Sequence, residues 1–245
     1  MPLSLSGGNS HLTITGGTHV PHSPCYHYLE GQWLPYIRKI GLDIDLTMEA
    51  AGFYPRGGGR IQARIRPIQE LAALEASERG DMQRLTGLSA VANLDAEIAR
   101  RQKHQALRRL EPRFRETKIK TIELDSPGKG TFLSLLAEFE RSQCFYFALG
   151  ELGKRAERVA DEAVDALEGY LSTNGAIDQY LADQLLLPLA FTQGESKLRI
   201  SQVTQHLLTN AQILRLFLPV RIEIQGDVGE SGEVSVLGIG YAPSH

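Results

Sequence analysis

The chain has 245 residues, of which 42% are hydrophobic and 22% are charged, a composition typical of a globular protein with one large or two smaller domains. This composition excludes intrinsic disorder and a fibrous repeat as the main description. The chain carries 26 lysines and arginines against 29 acidic residues, so its net charge of −3 gives no global positive field of the kind that indicates a nucleic-acid-binding protein. A local basic groove is compatible with that balance.

The cysteines and the N-terminal segment indicate the compartment. Cys25 and Cys144 lie far apart in the sequence, which excludes a disulfide framework, argues against a cysteine-based zinc site and favours a reducing compartment. The N-terminal residues form neither a basic region nor an apolar core, and no stretch approaches the ~18 apolar residues of a membrane-spanning helix. We therefore expect a cytoplasmic protein without a membrane partner.

The first part of the chain predicts a strand, a helix and two further strands. In HLTITGG, apolar residues alternate with threonines before two glycines, which is typical of a short half-buried strand. From Tyr26 to Ile40, apolar residues at spacings of three and four predict a helix that Pro35 is expected to kink and Gly41 to end. LDIDLTM and RIQARIR alternate with period two and predict strands joined across GFYPRGGG.

The middle of the chain, residues 71–147, predicts a small inserted α+β domain. Val91, Leu94 and Ile98 mark a helix that continues through AEIARRQKHQALRRL and ends at Pro112. Strands are predicted in KIKTIEL, TFLSLLAEF and CFYFALG, with the loop DSPGKG between the first two. The size of this segment suits an insert better than a free-standing domain.

The last part, residues 148–245, predicts an α+β unit whose order of elements is similar to that of residues 1–70. A helix begins near Lys154, a second runs through AIDQYLADQLLLPLAF, and a third through LLTNAQILRLF. Strands are predicted around LRIS and in VRIEIQ and EVSVLGI. The sequence therefore predicts an α+β fold in which two related units flank the insert.

The triple glycine Gly57–Gly59 allows two interpretations. Glycines permit positive φ and the close approach of a ligand or of another backbone, so the segment could face a phosphate or form a tight hairpin with a bulge. The hairpin is the favoured interpretation. A Walker-type phosphate loop is excluded, because no GK[ST] opens a helix afterwards.

Three histidines, His19, His22 and His27, fall within a short run that invites a metal-site interpretation. Pro21 and Pro24 make this run irregular, its spacing matches no common zinc pattern, and it contains no acidic residue. A native metal site is therefore not predicted there.

The predicted helix AIDQYLADQLLLPLAF carries a polar stripe. Tyr180, Asp183 and Gln184 stand at i, i+3 and i+4, so the three side chains project from one helical face. A solvated stripe is one explanation for this pattern. The alternative is that the phenol, carboxylate and amide line a cleft and bind a nucleotide or a metal.

His206 precedes LLTNAQILRLF and therefore lies at the start of a predicted helix. The first backbone amides and the dipole of a helix favour an anionic ligand. Imidazole is a nucleophile at neutral pH, and its phosphoramidate is labile enough to pass a phosphoryl or nucleotidyl group onward. A structural role is the more common one for a single histidine, and the residues alone leave both roles open.

Five segments together resemble the RNA 3′-terminal phosphate cyclase family: TITGGTHVPHSP, GFYPRGGGRI, LGELGKRAERVADEA, QYLADQLLLPLAF and VTQHLLTN. The resemblance runs from about His11 to Ile224. It implies the cyclase fold, which is EPSP-synthase-like: repeated units of two helices on a four-stranded sheet, with a small inserted α+β domain. On this basis residues 1–70 would be part of the second repeat, 71–147 the insert and 148–245 the third repeat.

The resemblance also implies roles for individual residues. His206 matches the histidine that becomes adenylylated by ATP, and Tyr180, Asp183 and Gln184 match residues that contact the adenylate. Pro21 belongs to a loop that lies beside the nucleotide. The implied reaction converts an RNA 3′-phosphate to a 2′,3′-cyclic phosphate with ATP and a divalent metal, Mg²⁺ or Mn²⁺, whose ligands the sequence leaves unknown.

The sequence also departs from the family pattern. Ala51 stands where the family usually has a basic residue, and His19 stands where the family commonly has an acidic or amide residue. No GEGGGQ-like segment is present. We therefore expect a weakened nucleotide site and an open apolar surface around HLTITGG and YLEGQWLPYI, covered by a second copy, by a separately encoded N-terminal fragment or by rearranged termini. The alternative function is that of a truncated, catalytically deficient cyclase-like protein that binds RNA or protein.

Overall fold

The computed structural model describes residues 1–241, which form three separate β-sheets. The first sheet is antiparallel, with the strand order β1–β3–β2. Its strands are β1 (Ser10–Gly16), β2 (Ile44–Ala50) and β3 (Gly59–Ile65). The strands predicted in HLTITGG, LDIDLTM and RIQARIR are thus confirmed. The half-burial predicted for the first of them is wrong, because β1 lies at the edge of the sheet with Leu12 and Ile14 exposed.

One helical segment follows β1 and contains a π-helical turn. It consists of α1 (Tyr26–Tyr28), the π turn (Leu29–Trp33) and α2 (Leu34–Ile40), and Gly41 ends it with a φ of 111°. Pro35 stands in the first turn of α2, directly after the wider turn. A wider turn at this point relieves the clash between a proline ring and the preceding helical turn. The predicted helix is confirmed, and its irregularity takes the form of the π turn. The open apolar surface expected at YLEGQWLPYI is wrong, because the apolar side chains of this segment pack into the hydrophobic clusters of the protein.

The second sheet carries two helices on one face. Its order is β6–β5–β7–β8, with β5 parallel to β6 and antiparallel to β7. The strands are β5 (Met82–Ala92), β6 (Lys118–Glu123), β7 (Gly130–Phe139) and β8 (Gln143–Leu149). The helix α3 (Ala96–Leu110) connects β5 to β6, and α4 (Ala156–Leu171) packs beside it.

Val91 belongs to β5 and not to the helix, so the predicted start of that helix is wrong. The helix begins at Ala96, after Asp95, whose carboxylate accepts a hydrogen bond of 2.8 Å from the amide of Glu97. The end of β5 is buried on both faces, so Ala90, Val91 and Ala92 do not alternate with polar residues. A short apolar run of this kind fits a buried strand and a buried helix equally well.

The third sheet carries the two helices of the candidate site. Its order is β10–β11–β9–β4. The strands are β4 (Glu75–Ala76), β9 (Glu195–Ile200), β10 (Arg221–Gln225) and β11 (Gly232–Leu237). The helix α5 (Gln179–Leu189) precedes β9, and α6 (Gln205–Phe217) connects β9 to β10. The helices and strands predicted here are confirmed.

The hydrophobic cores divide the chain differently from the predicted ranges 1–70, 71–147 and 148–245. Val159 and Leu167 place α4, which lies beyond residue 147, in the core of the second sheet, because that sheet face needs a second helix to cover it. The strand β4, inside the range 71–147, pairs with β9 of the third sheet. The second sheet and its helices thus span residues 82–171. That the predicted ranges act as separate domains stays a prediction.

The first and third sheets share one core, while the segment GFYPRGGG joins the first sheet to the second. Ile37 of α2 and Leu185 of α5 belong to the same hydrophobic cluster. Phe53 packs with Phe132 of β7. A Cβ on Gly59 would lie 2.4 Å from the amide nitrogen of Gly52, so the glycine permits two backbone segments to touch. This contact and the antiparallel pairing of β2 with β3 favour the hairpin interpretation of the triple glycine.

The predicted fold class, α+β, is confirmed by the three sheets and the helices that cover them. No helix within residues 1–241 has the length and apolar character needed to cross a membrane.

Candidate functional site

His206 lies in the first turn of α6. Thr204 begins this helix, and its hydroxyl oxygen accepts a hydrogen bond of 3.1 Å from the amide of Leu207. The His206 side chain is exposed. The first amides of a helix and its dipole favour negative charge, so a phosphate that approaches this ring enters a favourable field. His206 therefore combines an accessible nucleophilic ring with an anion-favouring position.

Asp183 on α5 lies close to His206. Burial raises the pKa of the half-buried Asp183 carboxyl, and the charge of the His206 imidazole lowers the same pKa to a smaller extent. The helices α5 and α6 pack against each other, so the two charges interact, although no hydrogen bond or ion pair within 4.0 Å joins the two side chains. A carboxylate whose charge reaches an imidazole stabilises the positive form of that ring.

Tyr180 and Gln184 lie on the same helix as Asp183. The ring of Tyr180 is 55% exposed and stands edge-on to that of Tyr146, with 6.3 Å between the ring centroids. The side-chain amide of Gln184 donates a hydrogen bond of 2.8 Å to the carbonyl oxygen of Tyr180. Since Tyr146 comes from β8, the site lies where the second sheet meets α5. The exposed ring of Tyr180 is available to a ligand at this junction.

Asp178 fixes the start of α5. Its buried carboxylate accepts hydrogen bonds of 2.9 Å from the amides of Tyr180 and Leu181. It also accepts hydrogen bonds from the side chains of Gln32, at 2.7 Å, and Tyr28, at 3.3 Å. Burial raises the pKa of Asp178 to about 6, and these hydrogen bonds oppose that rise. The helical segment after β1 is thereby tied to the helix that carries the predicted site residues.

Gln179 connects α5 to its other neighbours. Its side-chain oxygen accepts hydrogen bonds from the hydroxyls of Tyr146, at 2.9 Å, and Ser201, at 3.0 Å. Ser201 follows β9 directly and precedes α6. The sequence alone did not predict these supporting residues. Asp178 had a usable signal, an acidic residue just before an apolar helical pattern, whereas the other contacts join residues far apart in the chain.

Pro21 lies in the exposed turn before α1, on a different element from the other four predicted residues. Near it, Nε2 of the buried His19 is 2.9 Å from Nδ1 of His27, and His22 is exposed. Burial lowers the pKa of His19 to about 3 and that of His27 to about 4. The structure thus brings two of the three histidines together as a neutral pair.

The expected divalent metal has no assigned ligands. Within the described part of the chain, no three histidine, cysteine, aspartate or glutamate side chains converge as metal ligands. Asp183 and His206 supply two groups that can bind a metal, which is fewer than a protein-held centre usually needs.

Comparison with known proteins places these residues in one family. A family model described as RNA 3′-terminal phosphate cyclase matches residues 1–224, which include all five predicted site residues. The chain is 34% identical over 226 residues to the RNA 3′-terminal phosphate cyclase of Nostoc punctiforme, covering 91% of this chain and 64% of that protein. The chain is 36% identical over 225 residues to the RNA 3′-terminal phosphate cyclase of Methylococcus capsulatus, and the match covers 91% of this chain and 62% of that protein.

An archaeal relative is similar over a slightly longer range. The chain is 37% identical over 238 residues to the RNA 3′-terminal phosphate cyclase of Thermococcus onnurineus, covering 96% of this chain and 68% of that protein. The chain thus spans a little under two thirds of the length of the Nostoc and Methylococcus proteins and a little over two thirds of the length of the Thermococcus protein. It belongs to the RNA 3′-terminal phosphate cyclase family.

Proposed function

We propose that this chain converts the 3′-terminal phosphate of RNA to a 2′,3′-cyclic phosphate at the expense of ATP, with His206 as the nucleophile. Family membership supports the reaction class. The observation that carries the residue assignment is the exposed imidazole of His206 at the start of α6, within reach of the charge of the Asp183 carboxylate on the neighbouring helix.

The first step is nucleotidyl transfer to the protein. A ring nitrogen of His206 attacks the α-phosphorus of ATP, an N–P bond forms, and the bond to the β-phosphate oxygen breaks, which releases pyrophosphate. The first amides of α6 favour the negative charge of the phosphate as it approaches. The carboxylate of Asp183 stabilises positive charge that develops on the imidazole during the attack.

The second and third steps use the RNA end. A terminal 3′-phosphate oxygen attacks the phosphorus of the His206 adduct, so that the N–P bond breaks and an RNA–phosphate–AMP anhydride forms. The adjacent 2′-hydroxyl oxygen then attacks the RNA phosphorus, loses its proton to solvent and displaces AMP. The product is a 2′,3′-cyclic phosphate, and ATP has been split into AMP and pyrophosphate.

The remaining predicted residues would hold the nucleotide. Tyr180 offers an exposed aromatic face to the base, and the amide of Gln184 can exchange its bond to the Tyr180 carbonyl for one to the ligand. The turn that contains Pro21 would close the other side of the nucleotide. A divalent cation would neutralise the charge of the triphosphate. Cytoplasmic location and association with a second copy or a further fragment belong to the same proposal.

The reaction is tested on a single-stranded RNA that ends in a 3′-phosphate. A phosphatase removes a terminal phosphomonoester but not a cyclic phosphodiester, so incubation with the chain, ATP and Mg²⁺ should make the terminal phosphate resistant. Omission of ATP, or the change His206→Ala, should leave it sensitive. A terminal phosphate that stays sensitive with the parent chain would contradict the proposed reaction and favour the RNA- or protein-binding alternative.

A further inference from the structure

The positive charge of this acidic chain is concentrated in one segment. Residues 100–120 contain nine lysines and arginines and two glutamates, a net charge of +7. The other residues contain 17 lysines and arginines and 27 acidic residues, a net charge of −10. The segment comprises most of α3, the following turn and the start of β6, on the second sheet. This charge separation indicates a directed electrostatic role.

Two arginines of α3 are neutralised by acidic residues of the neighbouring helix α4. Arg101 makes a two-pronged ion pair with Glu157 of α4, with both N–O distances at 2.8 Å. Arg109 pairs with Asp165 at 2.6 Å and with Glu168 at 2.7 Å. These pairs hold α3 against α4, and their charges are already balanced.

Arg100 also has an acidic partner, Glu97 of the same helix, at 2.8 Å, and the remaining cations of this segment have none among the described residues. Six side chains have no acidic group of residues 1–241 within 4.0 Å: Lys103, Arg108, Arg113, Arg115, Lys118 and Lys120. We call them the α3–β6 patch. All are exposed except Lys103, which is half-buried. A groove of about 730 Å³ is lined by Lys103 and Arg108 of α3 and by Thr121 of β6, among others, so the helix and the strand contribute to one concave surface.

We propose that the α3–β6 patch binds the sugar–phosphate backbone of the RNA whose 3′ end is modified. The inference rests on the proposed function, which supplies RNA as the polyanion. When lysines and arginines without protein partners contact phosphates, they displace counterions from the nucleic acid. This release is the main source of affinity for a nucleic-acid backbone. Lys118 and Lys120 project from the same side of β6, about 7 Å apart, so they can contact successive groups of an extended strand.

A purely structural explanation covers only part of the patch. β6 is an edge strand, and lysines on an edge strand prevent pairing with another sheet. This explains Lys118 and Lys120 but not Lys103 and Arg108, which lie on the helix. The explanation also predicts that loss of the two lysines promotes aggregation without changing RNA affinity.

The test compares two triple variants that lose the same charge. The patch variant is Arg108→Gln/Lys118→Gln/Lys120→Gln. The control variant is Lys39→Gln/Arg56→Gln/Arg64→Gln, which changes exposed cations outside the patch. Binding of a fluorescent single-stranded RNA with a 3′-phosphate is followed by anisotropy at several salt concentrations, without ATP. Thermal unfolding checks that both variants fold, and labelling with ATP in the absence of RNA is measured separately.

We expect the patch variant to bind RNA about tenfold more weakly or worse at low salt. The slope of log Kd against log salt should fall by about 2, since each phosphate contact on a single strand contributes about 0.7. The control variant should stay close to the parent chain. Equal losses in both variants, parent-like binding by the patch variant, or binding of anionic lipid vesicles but not RNA by the parent would overturn the proposal. A parent chain that binds RNA through the patch but takes no label from ATP would instead contradict the proposed function alone.

Discussion

The buried carboxylate of Asp178 accepts a hydrogen bond of 2.7 Å from the side-chain amide of the buried Gln32. Gln32 lies in the π turn that follows α1, and Asp178 begins the helix that carries Tyr180, Asp183 and Gln184. Residues far apart in the sequence thus fix the start of the candidate nucleotide-binding helix. The candidate site therefore depends on contacts between the first and third parts of the chain.

The change Asp178→Ala should lower the free energy of unfolding by about 2–4 kcal/mol, because it removes a helix cap and leaves the Tyr28 hydroxyl and one of the two amide hydrogens of Gln32 buried without an acceptor. Urea unfolding followed by circular dichroism measures this loss. The exposed cap of α3 provides the control, and Asp95→Ala should cost only about 1 kcal/mol. Equal losses for the two changes would contradict the proposed importance of the buried contacts.

The His19–His27 pair should make the protein less stable as the pH falls below 6.5. The folded-state pKa values are about 3 and about 4, against 6.5 for an ordinary histidine, so the unfolded chain takes up protons that the folded chain does not. Between pH 6.5 and about 4, the free energy of unfolding should fall by up to about 1.4 kcal/mol per pH unit for each histidine. Urea unfolding at several pH values measures this slope.

Two variants separate the groups that set this pH dependence. His19→Gln/His27→Gln should flatten the slope. Asp178 acts in the opposite direction, because its folded-state pKa of about 6 lies above the ordinary 3.8 and acidification therefore favours the folded chain. Asp178→Asn should accordingly steepen the slope. An unchanged slope in the histidine variant would show that the pair does not stay neutral in the folded chain.

Tyr180 should contribute to ATP binding through its ring rather than its hydroxyl. Tyr180→Ala should weaken ATP binding about tenfold or more, since stacking of a base on an aromatic side chain contributes about 1–3 kcal/mol. Tyr180→Phe should bind ATP nearly as well as the parent, and so should Leu187→Ala, a change of another exposed residue on α5. Calorimetric titration gives the affinities. If Tyr180→Phe weakened ATP binding as much as Tyr180→Ala does, the contact would belong to the hydroxyl and not to the ring.

Any replacement of Gly59 by a residue with a side chain should destabilise the fold. A Cβ there would meet the amide nitrogen of Gly52 at 2.4 Å and Cγ2 of Thr18 at 2.7 Å, so Gly59→Ala should destabilise the protein by about 1–3 kcal/mol. Gly169 of α4 has open space around the same position, and Gly169→Ala should stabilise by about 0.5–1 kcal/mol, because alanine favours the helix. Urea unfolding compares the two, and a neutral Gly59→Ala would show that the connection has room to move.

The sequence predicts elements better than it predicts their partners. Periodicity was sufficient for β2, β3, α5 and α6, because each has one buried face, and it also identified β1, although the apolar residues of that strand are exposed. It failed at Val91, where a buried strand has no alternation, and it gave no information that α4 packs on the second sheet rather than on the third. The cap at Asp178 had a local signal in the sequence, whereas its contact with Gln32 had none, because that contact depends on how distant segments pack. The resemblance supplied the residues of the candidate site, and the structure brings Asp183 close to His206.

The central claim, that His206 carries the nucleotide, is tested most directly by incubating the chain with ATP labelled in its α-phosphate and with Mg²⁺, without RNA. We predict a covalent protein–AMP adduct that is labile in acid and stable in alkali, as expected for a phosphoramidate. The change His206→Ala should abolish it, whereas His11→Ala, a change of another exposed histidine, should leave it unaltered. An adduct that persists in the His206→Ala variant, or no adduct in the parent chain, would contradict the claim.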